Sequence, residues 1–288
     1  MNPRDRLKVA LLLGCMLCLA PGCAGNASHI SELPKDSRFA VYYGTAEPSA
    51  IHDWDVVVLD SDVDPAIVRN FSAKSLVLGY LSVGEVHGGR AYAPQIGREG
   101  LLLSANENWE GARFIDVRDA RWKKRVVEEL VPAIVARGFK GLFLDTLDSS
   151  AYLESSDPAR NAGMTDAAID LVAAIRQRFP NLPIMANRGY DLLPRLADKI
   201  DMLLGESVHT TYDAKSKNYV RVEPESVRWQ HERMFEARRL NPSLRLFSLD
   251  YWSPSDREGI ARIYAEARAN GFVPYVATID LSQIVPRP

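Results

Sequence analysis

The sequence Gly138-Phe-Lys-Gly-Leu-Phe-Leu-Asp-Thr-Leu-Asp148 decides the fold class of this chain. It is a hydrophobic run, marked off by glycines, that ends in the carboxylates of Asp145 and Asp148. A strand that is apolar up to its last residue and then presents acids is typical of a buried parallel strand whose C-terminal end opens into a site. Because aspartate is also common as a turn cap, this stretch alone leaves a purely structural role open.

Similar runs recur along the chain, and several are apolar throughout rather than alternating. The strand candidates are residues 39–43, 55–59, 76–81, 141–144, 183–186, 201–204, 244–249 and 272–278. Amphipathic helical patterns separate them, so the sequence predicts an α/β protein with a single (β/α)8 TIM-type barrel. A doubly wound open sheet is the alternative. No G-x-G-x-x-G follows the first strand, so neither a dinucleotide-binding half nor a cofactor is predicted.

Local signals place several helices and one long excursion. Asp119 is an N-cap candidate for a helix in which Pro132 predicts a kink or a break. Thr165 is a cap candidate for a second helix, and Ser253-Pro254 predicts the start of another. Residues 224–240 also have helical character. Residues 86–112 are rich in glycine and are predicted to form a loop over the top of the barrel.

The beginning of the chain has the pattern of an export signal. Basic residues Arg4, Arg6 and Lys8 precede an apolar run at 9–20, which is too short for a permanent membrane span. We therefore assign residues 1–22 to a signal peptide of the lipoprotein type, 23–36 to a polar tether and 37–288 to the barrel.

Cys23 resembles the lipidated cysteine of bacterial lipoproteins because a small residue, Gly22, precedes it. Lipidation would make the membrane a partner of the protein. The lipid would hold the protein at the outer membrane, in the periplasm or at the cell surface. Simple secretion or an uncleaved anchor is the alternative. The three cysteines all lie within residues 15–23, so no disulfide is predicted in the barrel.

The composition narrows the class of partner. The chain has 288 residues, of which 47% are hydrophobic, enough for a full core. Its 35 basic residues are balanced by 37 acidic ones, and this balance argues against a nucleic-acid partner.

Polar side chains follow nearly every predicted strand. In a barrel, the C-terminal ends of the strands converge on one face, and active sites are built there. Acids gathered in this way suit glycoside hydrolysis, which uses one carboxylic acid and one carboxylate. Aromatic side chains at the same face could stack on sugar rings, although about half of them are expected to pack in the core or in loops. The candidates are Tyr43, Tyr80, Tyr190, Tyr212, Tyr251 and Trp252. The predicted substrate-binding residues are Asp60, Tyr80, Glu85, Asp148, Asn187, Asp250 and Tyr251.

Three blocks of sequence resemble glycoside hydrolase family 114, the endo-α-1,4-polygalactosaminidase family, which is also represented in the Pel biofilm polysaccharide system. They are Tyr80-Leu-Ser-Val-Gly-Glu85, the stretch that ends at Asp148, and Leu204-Gly-Glu-Ser207, and they occur in the family order. The similarity spans residues 39–278. It implies a TIM barrel and the cleavage of a polysaccharide that contains α-1,4-linked galactosamine or N-acetylgalactosamine.

By the same resemblance, Asp145 and Glu206 form the catalytic pair. Asp145 is expected to act as nucleophile or stabilising carboxylate, and Glu206 as general acid/base, while Asp148 remains a competitor of Asp145. The alternative function is a non-catalytic, surface-anchored barrel that binds a cationic amino-sugar polymer through charge pairing.

Metal and serine chemistry find little support in the sequence. The five histidines include no H-x-x-x-H pair, and no G-x-S-x-G is present. No metal site is therefore predicted, although His209, three residues after Glu206, is the histidine expected to come nearest to the site.

Overall fold

A computed structural model describes residues 30, 32–45 and 54–288. The predicted signal peptide at 1–22, Cys23 and most of the tether at 23–36 lie outside the described residues. Within the described part of the chain, no helix is long and apolar enough to cross a membrane.

Thirteen strands are present in the described residues. They are β1 (Phe39–Tyr42), β2 (Val56–Leu59), β3 (Leu76–Ser82), β4 (Glu85–His87), β5 (Leu102–Ala105), β6 (Ala112–Ile115), β7 (Gly141–Asp145), β8 (Ile184–Asn187), β9 (Met202–Glu206), β10 (Thr210–Asp213), β11 (Asn218–Arg221), β12 (Arg245–Tyr251) and β13 (Val273–Ala277).

Eight of these strands form one parallel sheet in the order β1-β2-β3-β7-β8-β9-β12-β13. The sheet curls into a nearly closed barrel, because the ring of Phe39 on β1 lies 6.2 Å from that of Tyr275 on β13. Just beyond these strands, the N–H of Tyr43 donates to the carbonyl of Leu281 at 2.8 Å. The predicted (β/α)8 TIM-type fold is confirmed, and each strand overlaps its predicted range.

Strand β7 forms the middle of residues 138–148. Gly138 adopts φ 99°, a left-handed conformation that suits glycine at the end of a helix. Gly141 starts β7 where a Cβ atom would lie 2.7 Å from the carbonyl oxygen of Pro183, so only glycine lets the neighbouring backbone come this close. Leu142, Phe143 and Leu144 are buried, and the strand ends at Asp145.

Ten α-helices surround the barrel or cap it in the described chain. They are α1 (Pro65–Ser72), α2 (Ala93–Arg98), α3 (Ala120–Arg125), α4 (Val131–Ala136), α5 (Asp148–Ser156), α6 (Pro158–Asn161), α7 (Met164–Arg178), α8 (Leu193–Leu196), α9 (Pro224–Leu240) and α10 (Arg257–Ala269).

Several predicted helix signals are confirmed and others are corrected. Asp119 caps α3, and the helical run continues to Ala136 without the predicted break, since a π-helical turn at Val126–Leu130 precedes Pro132. The N-cap of α7 is Gly163 instead of Thr165. The predicted start at Ser253-Pro254 is also wrong, because Asp256 caps α10 by accepting a hydrogen bond from the N–H of Gly259.

Two excursions rise from the C-terminal ends of the barrel strands. Residues 86–112 do not form a simple loop, because β4, β6 and β5 pair in that order as a small antiparallel sheet that also contains α2 in its connection. The segment after β9 forms the antiparallel hairpin β10-β11. The first of these excursions contributes residues to the cavity at this end of the barrel.

Candidate active site

A cavity of about 960 Å³ opens at the C-terminal ends of the barrel strands. It contains the two predicted catalytic acids and six of the seven predicted substrate-binding residues. These eight residues are Asp60, Tyr80, Glu85, Asp145, Asp148, Asn187, Glu206 and Tyr251. Asp250 is the exception, and it is absent from the lining of the cavity.

The alternation of side chains along each strand decides which residues face the cavity. Successive residues of a strand point to opposite faces, so every second side chain enters the barrel. Phe143 and Asp145 on β7 line the cavity, as do Leu249 and Tyr251 on β12. Tyr80 on β3 lies beside Phe143 in the strand register. Asp145, Asn187, Glu206 and Tyr251 are therefore the last inward positions of their strands.

One amide group joins the two predicted catalytic acids. The Nδ2 atom of Asn187 donates to Oδ1 of Asp145 at 2.9 Å and to Oε2 of Glu206 at 2.7 Å. Asn187 is 5% exposed and ends β8, which lies between the strands that carry the two acids. Both N–H groups of the amide are thus used to hold two carboxylates together at the base of the cavity.

Each of these acids also accepts a hydrogen bond from a tyrosine. Tyr80 Oη donates to Oδ2 of Asp145 at 2.8 Å, and Tyr251 Oη donates to Oε1 of Glu206 at 2.5 Å. Burial raises the pKa of both tyrosines well above the ordinary value, and the neighbouring carboxylates raise it further. The two hydroxyls therefore stay protonated and serve as fixed donors.

The electrostatic surroundings favour the protonated form of Glu206. Burial raises the pKa of its carboxyl above the ordinary value, and the negative charge of Asp145 raises it further. Hydrogen bonds from Tyr251 and Asn187 and the charge of Arg188 oppose this increase. A carboxyl group with a raised pKa beside a second acid has the properties of a general acid.

Asp148 occupies a different position from Asp145. It is the first residue of α5, its side chain is about half exposed (47%), and it lies 3.9 Å from the Nε atom of Arg188. Burial raises the pKa of Asp148, and Arg188 opposes this effect. Asp148 lines the cavity, but the amide of Asn187 contacts Asp145 and Glu206 instead.

The backbone is strained immediately after the three residues of this hydrogen-bonded group. Thr146, Arg188 and Ser207 have φ values of 62°, 53° and 54°, which residues other than glycine seldom adopt. The N–H groups of Arg188 and Ser207 nevertheless donate to the carbonyls of Leu204 and Leu249 on the adjacent strands. Such strain is characteristic of functional sites that the surrounding structure holds in place.

Asp60 at the end of β2 is held by an arginine that the sequence analysis did not predict. Arg90 forms two hydrogen bonds to the Asp60 carboxylate, at 2.8 and 2.9 Å, and a third to Asp62 at 2.8 Å. The guanidinium also lies 5.3 Å from the ring centre of Tyr80. Asp60 is therefore part of the cavity wall that supports Tyr80.

Metal chemistry finds no support in this part of the chain. Across residues 30, 32–45 and 54–288, no group of three or more His, Cys, Asp or Glu side chains is arranged to hold a metal ion.

This geometry agrees with comparisons to known proteins. The model of glycoside hydrolase family GH114 matches residues 21–288. The chain belongs to this family. The predicted membership is thus confirmed, and with it a glycosidase activity.

Solved structures and a curated relative extend the comparison. The glycoside hydrolase domain of PelA from Pseudomonas aeruginosa is 26% identical, with a TM-score of 0.75, and the match covers 88% of this chain and 99% of that domain. Ega3 from Aspergillus fumigatus, solved in complex with galactosamine, shares the fold with a TM-score of 0.65 at 14% identity over 88% and 95% of the chains. An uncharacterized protein from Thermotoga maritima is 25% identical over 250 residues, 79% of this chain and 76% of its own length.

The prediction that Asp250 contacts substrate is wrong. Asp250 precedes the inward-facing Tyr251, so its side chain points out of the barrel. It is fully buried and accepts hydrogen bonds from the N–H groups of His209 and Thr210 at 2.6 and 2.9 Å, while its second oxygen lies 3.0 Å from His209 Nδ1. Asp250 therefore fixes the segment that follows Glu206.

His209 and several aromatic residues also lie away from the cavity. The side chain of His209 is fully buried and packs against the rings of His231 and Phe272. Tyr190 is buried and donates to Gln230 Oε1 at 2.8 Å. Tyr212 packs on Tyr219 within the hairpin, and Trp252 donates to Asp256. Of the six predicted rim aromatics, Tyr43, Tyr80 and Tyr251 line the cavity.

Other residues of the cavity were missed by the sequence analysis. They are Asp62, Arg90, Asn106, Trp109, Ser149 and Tyr152, among others. Three of them, Arg90, Asn106 and Trp109, lie on the excursion of residues 86–112, where no strand pattern indicates which side chain turns inward. Asp62 lies in the loop between β2 and α1. Ser149 and Tyr152 could have been found, because they follow Asp148 on the same helix.

The role of Asp250 can be tested by two substitutions. Asp250→Ala leaves two backbone N–H groups and an imidazole nitrogen without their partner, so we expect a loss of about 3 kcal/mol in the free energy of unfolding. Asp250→Asn retains an oxygen for the two N–H groups and should cost clearly less. Urea unfolding measures both changes. Equal losses for the two variants, or a large loss of activity in a fully folded Asp250→Asn, would contradict this assignment.

Proposed function

We propose that the protein hydrolyses a polysaccharide that contains α-1,4-linked galactosamine or N-acetylgalactosamine, as an endo-acting glycosidase. The observation that carries the proposal is the amide of Asn187, which donates to both Asp145 and Glu206. A protein that only binds sugar has no need to hold two acids this close, because their mutual repulsion is unfavourable. A glycosidase requires such a pair.

The charge of the cavity supports an amino-sugar substrate. Acidic side chains outnumber arginines in the lining, and both arginines face acids: Arg90 is hydrogen-bonded to Asp60 and Asp62, and Arg188 lies near Asp148. A polymer with free amino groups is cationic at neutral pH and would be attracted to this surface. The activity that the family resemblance implies is of this kind.

The environments of the two acids suggest separate roles. Glu206, whose pKa is raised, would protonate the glycosidic oxygen of the leaving sugar. Asp145, held by Tyr80 and Asn187, would attack the anomeric carbon or stabilise its positive charge. The Glu206 carboxylate would then remove a proton from the water that releases the second product.

The spacing of the acids favours a retaining reaction. The hydrogen bonds of 2.9 and 2.7 Å share one nitrogen, so placed end to end they separate the two acceptor oxygens by at most about 5.6 Å. Retaining glycosidases have carboxyl groups about 5 to 5.5 Å apart, whereas inverting enzymes leave about 6.5 to 9.5 Å for a water molecule.

The first test of this function is the Glu206→Gln variant. Glutamine can accept from Asn187 and donate to Tyr251, so the hydrogen bonds are preserved, but it cannot release a proton. We expect the wild type to shorten a partly deacetylated α-1,4-linked N-acetylgalactosamine polymer, and the variant to be slower by at least about 100-fold. Product sizes measured by mass spectrometry check this. A polymer left uncut by the wild type would favour the non-catalytic binding function, whereas equal shortening by both proteins would exclude Glu206 as the general acid.

Stability provides the folding control for this variant. Because the pKa of Glu206 is raised in the folded state, the folded protein binds this proton more tightly than the unfolded chain does. The contribution of Glu206 to stability is greatest below the ordinary glutamate pKa of about 4.3 and declines as the pH rises through the folded pKa. Glu206→Gln should therefore unfold at a higher urea concentration than the wild type at pH 7, with the difference disappearing at acid pH.

The stereochemical outcome is a second, independent test. Proton NMR of the reducing-end sugar in the first minutes of hydrolysis identifies the anomer that is formed first. We expect the α-anomer, because double displacement through Asp145 retains the configuration of the bond. An initial β-anomer would show inversion and would exclude a glycosyl-enzyme intermediate on Asp145.

We also propose that the protein is exported and held at a membrane by lipid on Cys23. The proposal rests on the basic and apolar pattern of residues 1–22 and on Gly22 before the cysteine. We expect Cys23→Ala to move the protein from the membrane fraction to the soluble fraction, because the acyl chains are lost. Unchanged fractionation would argue against the anchor. Residues 54–288 are untouched by this change, so the hydrolase activity serves as the control.

A further inference from the structure

Glu85 is a buried carboxylate on the cavity wall that has no cationic partner among the described residues. It is 7% exposed, it belongs to β4, and no lysine or arginine of the described chain forms an ion pair with it. Asn106 Nδ2 lies 3.1 Å from each of its oxygens, and Ser149 Oγ donates to Oε1 at 2.6 Å. An ionised carboxylate can accept about four hydrogen bonds, so Oε2 retains a free acceptor position.

Two exposed aromatic rings line the same cavity as this carboxylate. Trp109 is 63% exposed and lies in the turn that begins with Asn106, to whose carbonyl its N–H donates. Tyr152 is 58% exposed and lies one helical turn after Ser149, so both side chains share one face of α5. Its ring packs 5.9 Å from that of Phe114, which pairs with Glu85 in the strand register.

Neither feature is explained by the stability of the fold. Large aromatic side chains gain most from burial, so two that remain exposed at the mouth of one cavity indicate a surface that a ligand covers. Burying a charged carboxylate is unfavourable unless it is paired, and Glu85 is held by the neutral donors Asn106 and Ser149 alone. A ligand that brings a flat apolar face and an ammonium group satisfies both.

We propose that Glu85, Trp109 and Tyr152 form a subsite for a sugar that carries a free amino group, away from the bond that is cut. The inference rests on the proposed hydrolysis of an amino-sugar polymer, and it adds that the sugar bound at this subsite must carry a free amino group. The ammonium of one galactosamine residue donates to Glu85 Oε2, while Trp109 and Tyr152 contact sugar rings. The enzyme therefore selects a deacetylated residue at one fixed distance from the cleavage point.

The position of the subsite relative to Asp145 follows from the backbone. Val83, two residues before Glu85, donates its N–H to the carbonyl of Asp145 at 3.0 Å. Gly84 donates to Thr146 Oγ1 at 2.9 Å. The two segments are therefore coupled, and Glu85 lies on one side of the catalytic pair, toward α5 and the turn at Asn106.

The experiment measures binding with catalysis switched off. In the full chain with Glu206→Gln, calorimetric titration compares α-1,4-linked galactosamine oligomers with their fully N-acetylated counterparts. We expect tighter binding of the free amines. Adding Glu85→Gln should weaken binding of the free amines by about 10- to 100-fold, the loss expected for one hydrogen bond to a charged group. Binding of the acetylated oligomers should be unchanged.

Glu110→Gln is the matched control, because Glu110 is exposed on the same turn and does not line the cavity. It removes the same charge from the neighbourhood, and the preference for free amines should persist. Trp109→Ala should weaken both kinds of oligomer alike, by about three- to tenfold. An unchanged preference in Glu85→Gln, or unchanged affinity in Trp109→Ala, would overturn the subsite.

A series of ligands keeps the proposal testable if Glu85→Gln fails to fold. N-acetylated oligomers with one free amine at a defined position are titrated against Glu206→Gln. A subsite predicts tighter binding for one position only, whereas equal gains at all positions would reduce the effect to general charge attraction and exclude the subsite.

Failure of this inference can be separated from failure of the proposed function. If the wild type cuts the polymer but its preference does not depend on Glu85, the hydrolase stands and the subsite falls. If the wild type cuts nothing while the preference for free amines depends on Glu85, the subsite is supported but belongs to a protein that binds sugar without cutting it.

Discussion

The rest of the site depends on the amide of Asn187, which keeps two carboxylates together that would otherwise repel each other. Its two N–H groups point at Asp145 and Glu206, and its own oxygen, Oδ1, is buried without a hydrogen-bond partner. Turning the amide over would place that oxygen against both acids, so electrostatics alone fix its orientation. The protein accepts one unsatisfied oxygen and a pair of like charges, and the result is an acid whose pKa is raised beside one that is held as a hydrogen-bond acceptor.

This arrangement requires hydrogen bonds from residues outside the cavity, because the backbone directly after the strands is strained. Ser207, which follows Glu206, is held through its carbonyl by Gln230 of α9 at 3.0 Å, and Tyr190 donates to the same glutamine. Asp250 fixes the next residues of this segment through their N–H groups. Buried polar groups that look like further catalytic candidates thus have another task, which is to hold the segment after Glu206 in an unfavourable conformation.

The sequence predicted the parts of this structure that follow from local patterns of apolar and polar residues. Short, mainly apolar runs identified all eight barrel strands, and their polar C-terminal residues located the site. The prediction failed at Asp250, because adjacent residues at a strand end point to opposite faces. Only the exact end of the strand decides which of the two faces the cavity. Asn106 and Ser149 reach Glu85 only after β4, β5 and β6 have folded against α5. Such contacts join distant parts of the chain and leave no local signal.

The two regions of the cavity also differ in how they treat charge. At the base, Asp145 and Glu206 receive donors from both tyrosines and one amide, so every oxygen has a partner before any substrate arrives. On the wall, Glu85 is bridged between the turn at Asn106 and helix α5 and still has an acceptor position to offer. At the bottom of the cavity all carboxylate oxygens are already hydrogen-bonded, and this suits catalysis, which needs fixed geometry. On the wall, the free acceptor position of Glu85 suits recognition, because its hydrogen-bond donor must come from the ligand.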